Sequence, residues 1–133
     1  KVLEAEGKVS SRSEFVGKRE KKIFEITHLG KEEFLAWIVL PVGKETRRDE
    51  LLLKVFFGAA TKPEDMLKHL YVQMQKAQEE KKQFQAIEVF LLSEELVKNP
   101  SQVFWMMSLR NGLLHVNAEL QWLRECIKVL EKK

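Results

Sequence analysis

The sequence predicts a mainly α-helical protein carrying one small β-hairpin. Three observations predict it: a period-two stretch from Lys8 to Thr27, a series of helix start and stop signals after it, and an apolar seam at heptad-like spacing toward the C-terminus. With 133 residues, 44% of them hydrophobic, the chain can bury one ordinary core, or one core and a small satellite.

Lys1 to Glu6 reads as the tail of a helix, stopped by Gly7 where a left-handed residue commonly ends one, so further sequence is expected upstream in the natural protein. In the first strand Val9, Ser11, Ser13 and Phe15 share one face and Lys8, Ser10, Arg12 and Glu14 the other. In the second, Lys22, Phe24 and Ile26 oppose Ile23, Glu25 and Thr27, which gives one mainly apolar face and one mixed face. Gly17 supplies the positive φ of the turn. Thr27 is an N-cap for a helix bearing Phe34, Trp37 and Ile38, ended by Pro41 and Gly43.

Thr46 reads as the cap of the next helix, with Asp49 three residues on, and the apolar run from Leu51 to Phe57 implies burial on several sides before Gly58. Thr61-Lys62-Pro63-Glu64 has the form of a capping box. Helical character then continues to about Leu92 along the stripe Leu67, Leu70, Met74, Ala77, Phe84, Ile87 and Leu91, so the polar stretch from Gln75 to Gln85 is a solvated face and not a linker.

The last helix begins near Asn99-Pro100-Ser101. Trp105, Leu109, Val116, Leu120, Leu123, Ile127 and Leu130 recur along it at three, four or seven residues and form a candidate dimerisation seam. Gly112 lies in this seam, either as a weak point or where another helix comes close. Such a helix is on the order of 45 Å long, more than a small domain's diameter. Its seam has two available covers: a partner subunit in a homodimer, or a hairpin against residues 64–92.

Residues 1–31 hold eight Lys/Arg against five Asp/Glu, whereas the remainder holds fifteen of each, so the whole net charge of +3 is local to the hairpin end. A basic hairpin on a neutral helical body suggests contact with phosphates; a merely solvated hairpin is the alternative that charge alone leaves open. The single cysteine, Cys126, excludes an internal disulfide and fits a reducing compartment. No apolar run approaches a membrane span and no signal peptide is evident, which leads to the expectation of a soluble, cytoplasmic protein without membrane contact. His28, His69 and His115 have no ligand-like spacing, no Gly-rich phosphate loop occurs, and neither a serine nor the cysteine sits in a nucleophile motif. The expectation is therefore a non-enzyme without a cofactor. Trp37, Phe56, Phe57, Trp105 and Trp122 read first as core, with a pocket for a flat aromatic molecule as the alternative.

Five groups of residues form a pattern across nearly the whole chain: Leu3-Glu4 with Gly7-Lys8-Val9; Gly17-Lys18-Arg19; Ile26-Thr27 with Gly30, Phe34, Trp37 and Ile38; the run from Arg48 to Gly58; and Leu109, Gly112, Glu119, Trp122 and Leu123. The pattern resembles the PadR family of winged-helix transcriptional regulators, in the branch whose longer C-terminal region includes virulence activators. His28-Leu29 departs from the family's usual small or acidic pair, while Thr27 and Gly30 are kept.

The resemblance implies a partial winged helix over residues 1–42 (end of the recognition helix, wing and following helix) and a helical dimerisation domain over 43–133. It further implies a homodimer on double-stranded DNA, with a recognition helix, mostly upstream of Lys1, reading bases. The implied DNA-binding set is Lys8, Arg12, Lys18, Arg19, Lys21 and Lys22, of which the last four would neutralise phosphates. Family members that respond to phenolic or drug-like molecules make a small aromatic effector a candidate partner. A helical protein–protein interaction module, with incidental hairpin charge, is the competing function.

Overall fold

The computed structural model describes residues 1–132, which form two units divided between Arg47 and Arg48. In the first unit, helix α1 (Val2–Ala5) ends at Gly7, whose φ of 72° lets the Gly7 N–H donate to the Glu4 carbonyl at 3.0 Å and the Lys8 N–H to the Leu3 carbonyl at 2.9 Å. These paired bonds satisfy carbonyls that a helix end leaves open. Strands β1 (Val9–Val16) and β2 (Arg19–Ile26) pair antiparallel, with Val9 opposite Ile26 and Val16 opposite Arg19. Helix α2 (His28–Ile38) follows directly, capped by Thr27, whose Oγ1 accepts from the Gly30 N–H at 3.1 Å. Residues 41–49 have no regular structure, and the boundary expected after residue 42 falls among them.

In the second unit, α3 (Glu50–Phe56) is capped by Asp49, not by the expected Thr46: the Asp49 carboxylate accepts from the Leu52 N–H at 2.9 Å. Thr46 lies in the irregular segment, too early to reach a helical N–H. Burial of α3 on several sides is also not observed. Leu51 and Val55 pack on the core, while Leu52, Leu53 and Phe56 are exposed, because a seven-residue helix with one neighbouring surface buries a single i,i+4 stripe. A 3-10 turn (Gly58–Ala60) leads to α4 (Pro63–Leu91). Pro63 takes the first turn as expected, yet the capping box does not form: the cap position belongs to Lys62, one residue after Thr61, and no side chain bonds there. A short helix that the sequence reading passed over, α5 (Glu94–Val97), precedes α6 (Gln102–Glu131).

Helices α4 and α6 pack antiparallel, with Tyr71 bonded to Glu131 at one end and Leu91 clustered with Leu109 and Leu113 at the other. Met66, Leu70, Ala77, Val116, Leu120, Leu123 and Ile127 form the main core. The seam read as a dimerisation surface is thus, for Leu109, Val116, Leu120, Leu123 and Ile127, the core of the chain's own hairpin. Its other two members differ: Leu130 is half-buried against that core and Trp105 is exposed. The reason is length, since α4 is nearly as long as α6 and covers the seam itself. Gly112 marks a close approach. A Cβ there would stand 3.0 Å from two atoms of the Phe84 ring.

Candidate nucleic-acid interface

The hairpin turn is fixed by its glycine. Gly17 has φ of 67° and no non-glycine residue has positive φ among the described residues, so the Gly17-Lys18 turn is of type II′, whose twist matches the flanking strands. The base of the hairpin is held from two sides. Thr27 Oγ1 donates to the Gly7 carbonyl at 2.6 Å while accepting from Gly30, and the Thr27 N–H donates to the Lys8 carbonyl at 2.9 Å. Gly30 is buried against that same Lys8 carbonyl, where a Cβ would fall at 2.0 Å. One threonine and one glycine thereby tie α1, the strands and α2 into a fixed arrangement.

The six basic residues expected at this interface divide into two groups. Lys8 Nζ lies 2.6 Å from Glu6 and 2.9 Å from Glu33, and these two carboxylates, Glu6 first, hold its pKa above the ordinary lysine value. Arg12 lies 3.3 Å from Glu14 and 3.9 Å from Glu25. Both cations are already compensated. Lys18, Arg19, Lys21 and Lys22 are exposed and have no ion pair among the described residues. The strand register puts Arg19 and Lys21 on one face and Lys22 on the other, with Lys18 in the turn. Lys22 Nζ sits 5.8 Å from the Phe24 ring centroid, within cation–π range. Ser11 and then the Lys22 charge hold the Glu4 carboxyl below its ordinary pKa, and Lys21 stands opposite Glu14 in the register, so these exposed cations surround the tip without close ion pairs and do not lie on a single face.

The carboxylates that neutralise Lys8 and Arg12 were missed by charge counting. Glu14 follows Arg12 by two residues, the same-face spacing of a strand, so that pair was legible; Glu33 reaches Lys8 only through the fold. The aromatic residues do not form the expected core: Trp37, Phe56, Phe57 and Trp105 are exposed, and only Trp122 packs against core residues. His28 pairs with Glu32 at 3.0 Å and His115 Nδ1 lies 3.0 Å from the Asn111 carbonyl, and no metal-binding cluster occurs among the described residues. No helix of the described residues is long and apolar enough to cross a membrane.

Residues 47–131 match the family model described as virulence activator alpha C-term. The chain belongs to that family. Its fold extends the likeness upstream through the wing, since solved structures match nearly the whole chain. smu.1604c from Streptococcus mutans UA159 is 22% identical with a TM-score of 0.79, covering 93% of this chain and 71% of its own. The Vibrio cholerae virulence activator AphA is 22% identical, TM-score 0.72, over 98% and 73%. Bacillus subtilis PadR in complex with operator DNA is 23% identical, TM-score 0.68, over 97% and 73%. At these identities the likeness establishes the fold, which is that of the PadR-type winged-helix regulators. No curated protein matches the chain by sequence.

Proposed function

We propose that the chain is part of a dimeric, non-catalytic transcriptional regulator whose hairpin is a wing resting on the phosphates of double-stranded DNA. One observation carries this reading: four exposed cations without a close ion pair among the described residues, Lys18, Arg19, Lys21 and Lys22, ring the tip of a hairpin whose base is fixed in place. Charges on both faces of a thin two-stranded element suit insertion between phosphate rows more than contact along one flat side. Lys8 and Arg12 support the wing's base through their carboxylates and leave phosphate contact to the tip. Base reading falls to the recognition helix, for which α1 stands as the final turn in the winged-helix fold. The solved complex of Bacillus subtilis PadR with operator DNA supports DNA as the partner.

The dimer face is reassigned to the side of α6 turned away from α4. Val103, Phe104, Met107 and Leu114 are at least half exposed there, opposite the buried stripe by helical period, and an apolar stripe left open on a helix of a water-facing unit favours a second copy as its cover. Residues 1–42 would then act as the DNA-contacting part and 43–133 as the dimerising part. A small aromatic effector is part of the proposal, supported by the solved complex of Bacillus subtilis PadR with p-coumaric acid.

Changing Lys21 and Lys22 to Ala is expected to weaken binding to specific and unrelated duplexes by similar factors. The slope of log affinity against log salt should fall by about one unit per lost phosphate contact. Fluorescence anisotropy over a salt series checks this. A changed sequence preference at unchanged nonspecific affinity would make the wing a base reader and overturn its assigned role.

A further inference from the structure

A cleft of about 640 Å³ opens within the helical unit between the segment from Val55 to Leu70 and the C-terminal part of α6. Its size suits a molecule of two or more fused rings. Met66 and Leu70 are buried core residues whose side chains also line the cleft, and Trp122 presents its indole from α6. Among the lining residues the only charged side chain is Glu125, with no Lys, Arg or His. Glu125 Oε1 accepts from Gln121 at 3.2 Å, and that amide carries no charge to offset the carboxylate. Cys126 lines the same wall; burial, and then the Glu125 charge, push its thiol up, so it stays protonated at neutral pH.

We propose that this cleft binds a flat, lipophilic organic cation, with its rings against Trp122 and Val129 and its charge toward Glu125. A carboxylate ligand would bring a second anion beside the exposed Glu125, where the repulsion is modest because water and salt screen it. A cation gains that carboxylate and the negative face of the indole. The inference deepens the effector reading and rests on it, but it does not depend on DNA contact, because binding is read on the protein alone.

Three probes of one shape and different charge test it: 1-naphthylmethylammonium, 1-naphthylmethanol and 1-naphthoate, titrated calorimetrically into this chain at low salt. Cys126, the only cysteine, gives a second readout through its rate of alkylation by iodoacetamide. The ammonium is expected to bind about fivefold more tightly than the alcohol, as suits one exposed carboxylate, with the naphthoate weakest. Glu125→Gln should erase the ammonium's advantage while leaving alcohol binding intact, and the bound ammonium should slow alkylation of Cys126. Preference for the naphthoate, or an ammonium advantage that survives Glu125→Gln, overturns the cation assignment and leaves the effector reading standing. Failure of all three probes to bind or to protect Cys126 overturns both.

Discussion

Replacing Leu123 by Ala is expected to destabilise the helical unit by about 3 to 4 kcal/mol, within the range for deleting a fully buried leucine side chain. Leu123 is completely buried, at the centre of the cluster that Met66, Leu70 and Ala77 form with α6, and the helical pair cannot collapse into the void without moving a whole helix. Leu123→Lys should unfold the unit, because the ammonium would lose its water with no carboxylate in the core to receive it; no polar residue is buried among the described residues. Urea unfolding followed by far-UV circular dichroism measures the first change, with the exposed Val129→Ala expected to stay within about 0.5 kcal/mol of the unmodified chain. If Leu123→Lys instead gave folded monomers at unchanged helix content, the residue would lie between two copies and the intramolecular hairpin would be wrong.

Gly30→Ala is expected to be the most damaging single-methyl change in the wing unit. The added Cβ would meet the Lys8 carbonyl oxygen at 2.0 Å and the Ile26 side chain at 2.9 Å, and the first of these is backbone that cannot rotate away. Relief requires α2 to lift from the start of β1, breaking the Thr27 bonds to Gly7 and Lys8 together. A loss of about 3 kcal/mol, the upper end for overpacking, is expected. Backbone amide exchange should show faster exchange through β1, β2 and the start of α2, with α4 and α6 unaffected. Unchanged protection across the hairpin would show that Gly30 is not the point of closure.

Features set by neighbours in sequence were legible. The hairpin, its glycine turn, the Thr27 cap and the Gly7 stop all depend on contacts within a few residues, and period two with turn chemistry is enough to find them. The α3 cap expected at Thr46 falls instead to Asp49, since both residue types suit the role and the choice depends on which start lets Leu51 and Val55 reach the core. The seam on α6 was visible but its cover was not, because a heptad-like spacing is the same whether the facing helix belongs to the same chain or to another. The candidate site was half legible. Its lysines and arginines could be counted, yet Glu33, which neutralises Lys8, lies far along the chain and is brought to it by the Thr27 and Gly30 closure. Exposure of Trp37 and Trp105 was not legible either, since an aromatic at helical spacing looks alike on a covered and an uncovered face.

The most direct measurement of wing contact with DNA is a titration of isotope-labelled protein with a short duplex of unrelated sequence at low salt, read as amide shifts residue by residue. Shifts are expected to concentrate at Gly17 to Lys22, to shrink as salt is raised, and to leave the solvated stretch from Gln75 to Gln85 unmoved. Shifts confined to the helical unit, or an unmoved wing at saturating duplex, would contradict the assignment of the hairpin tip to phosphate contact.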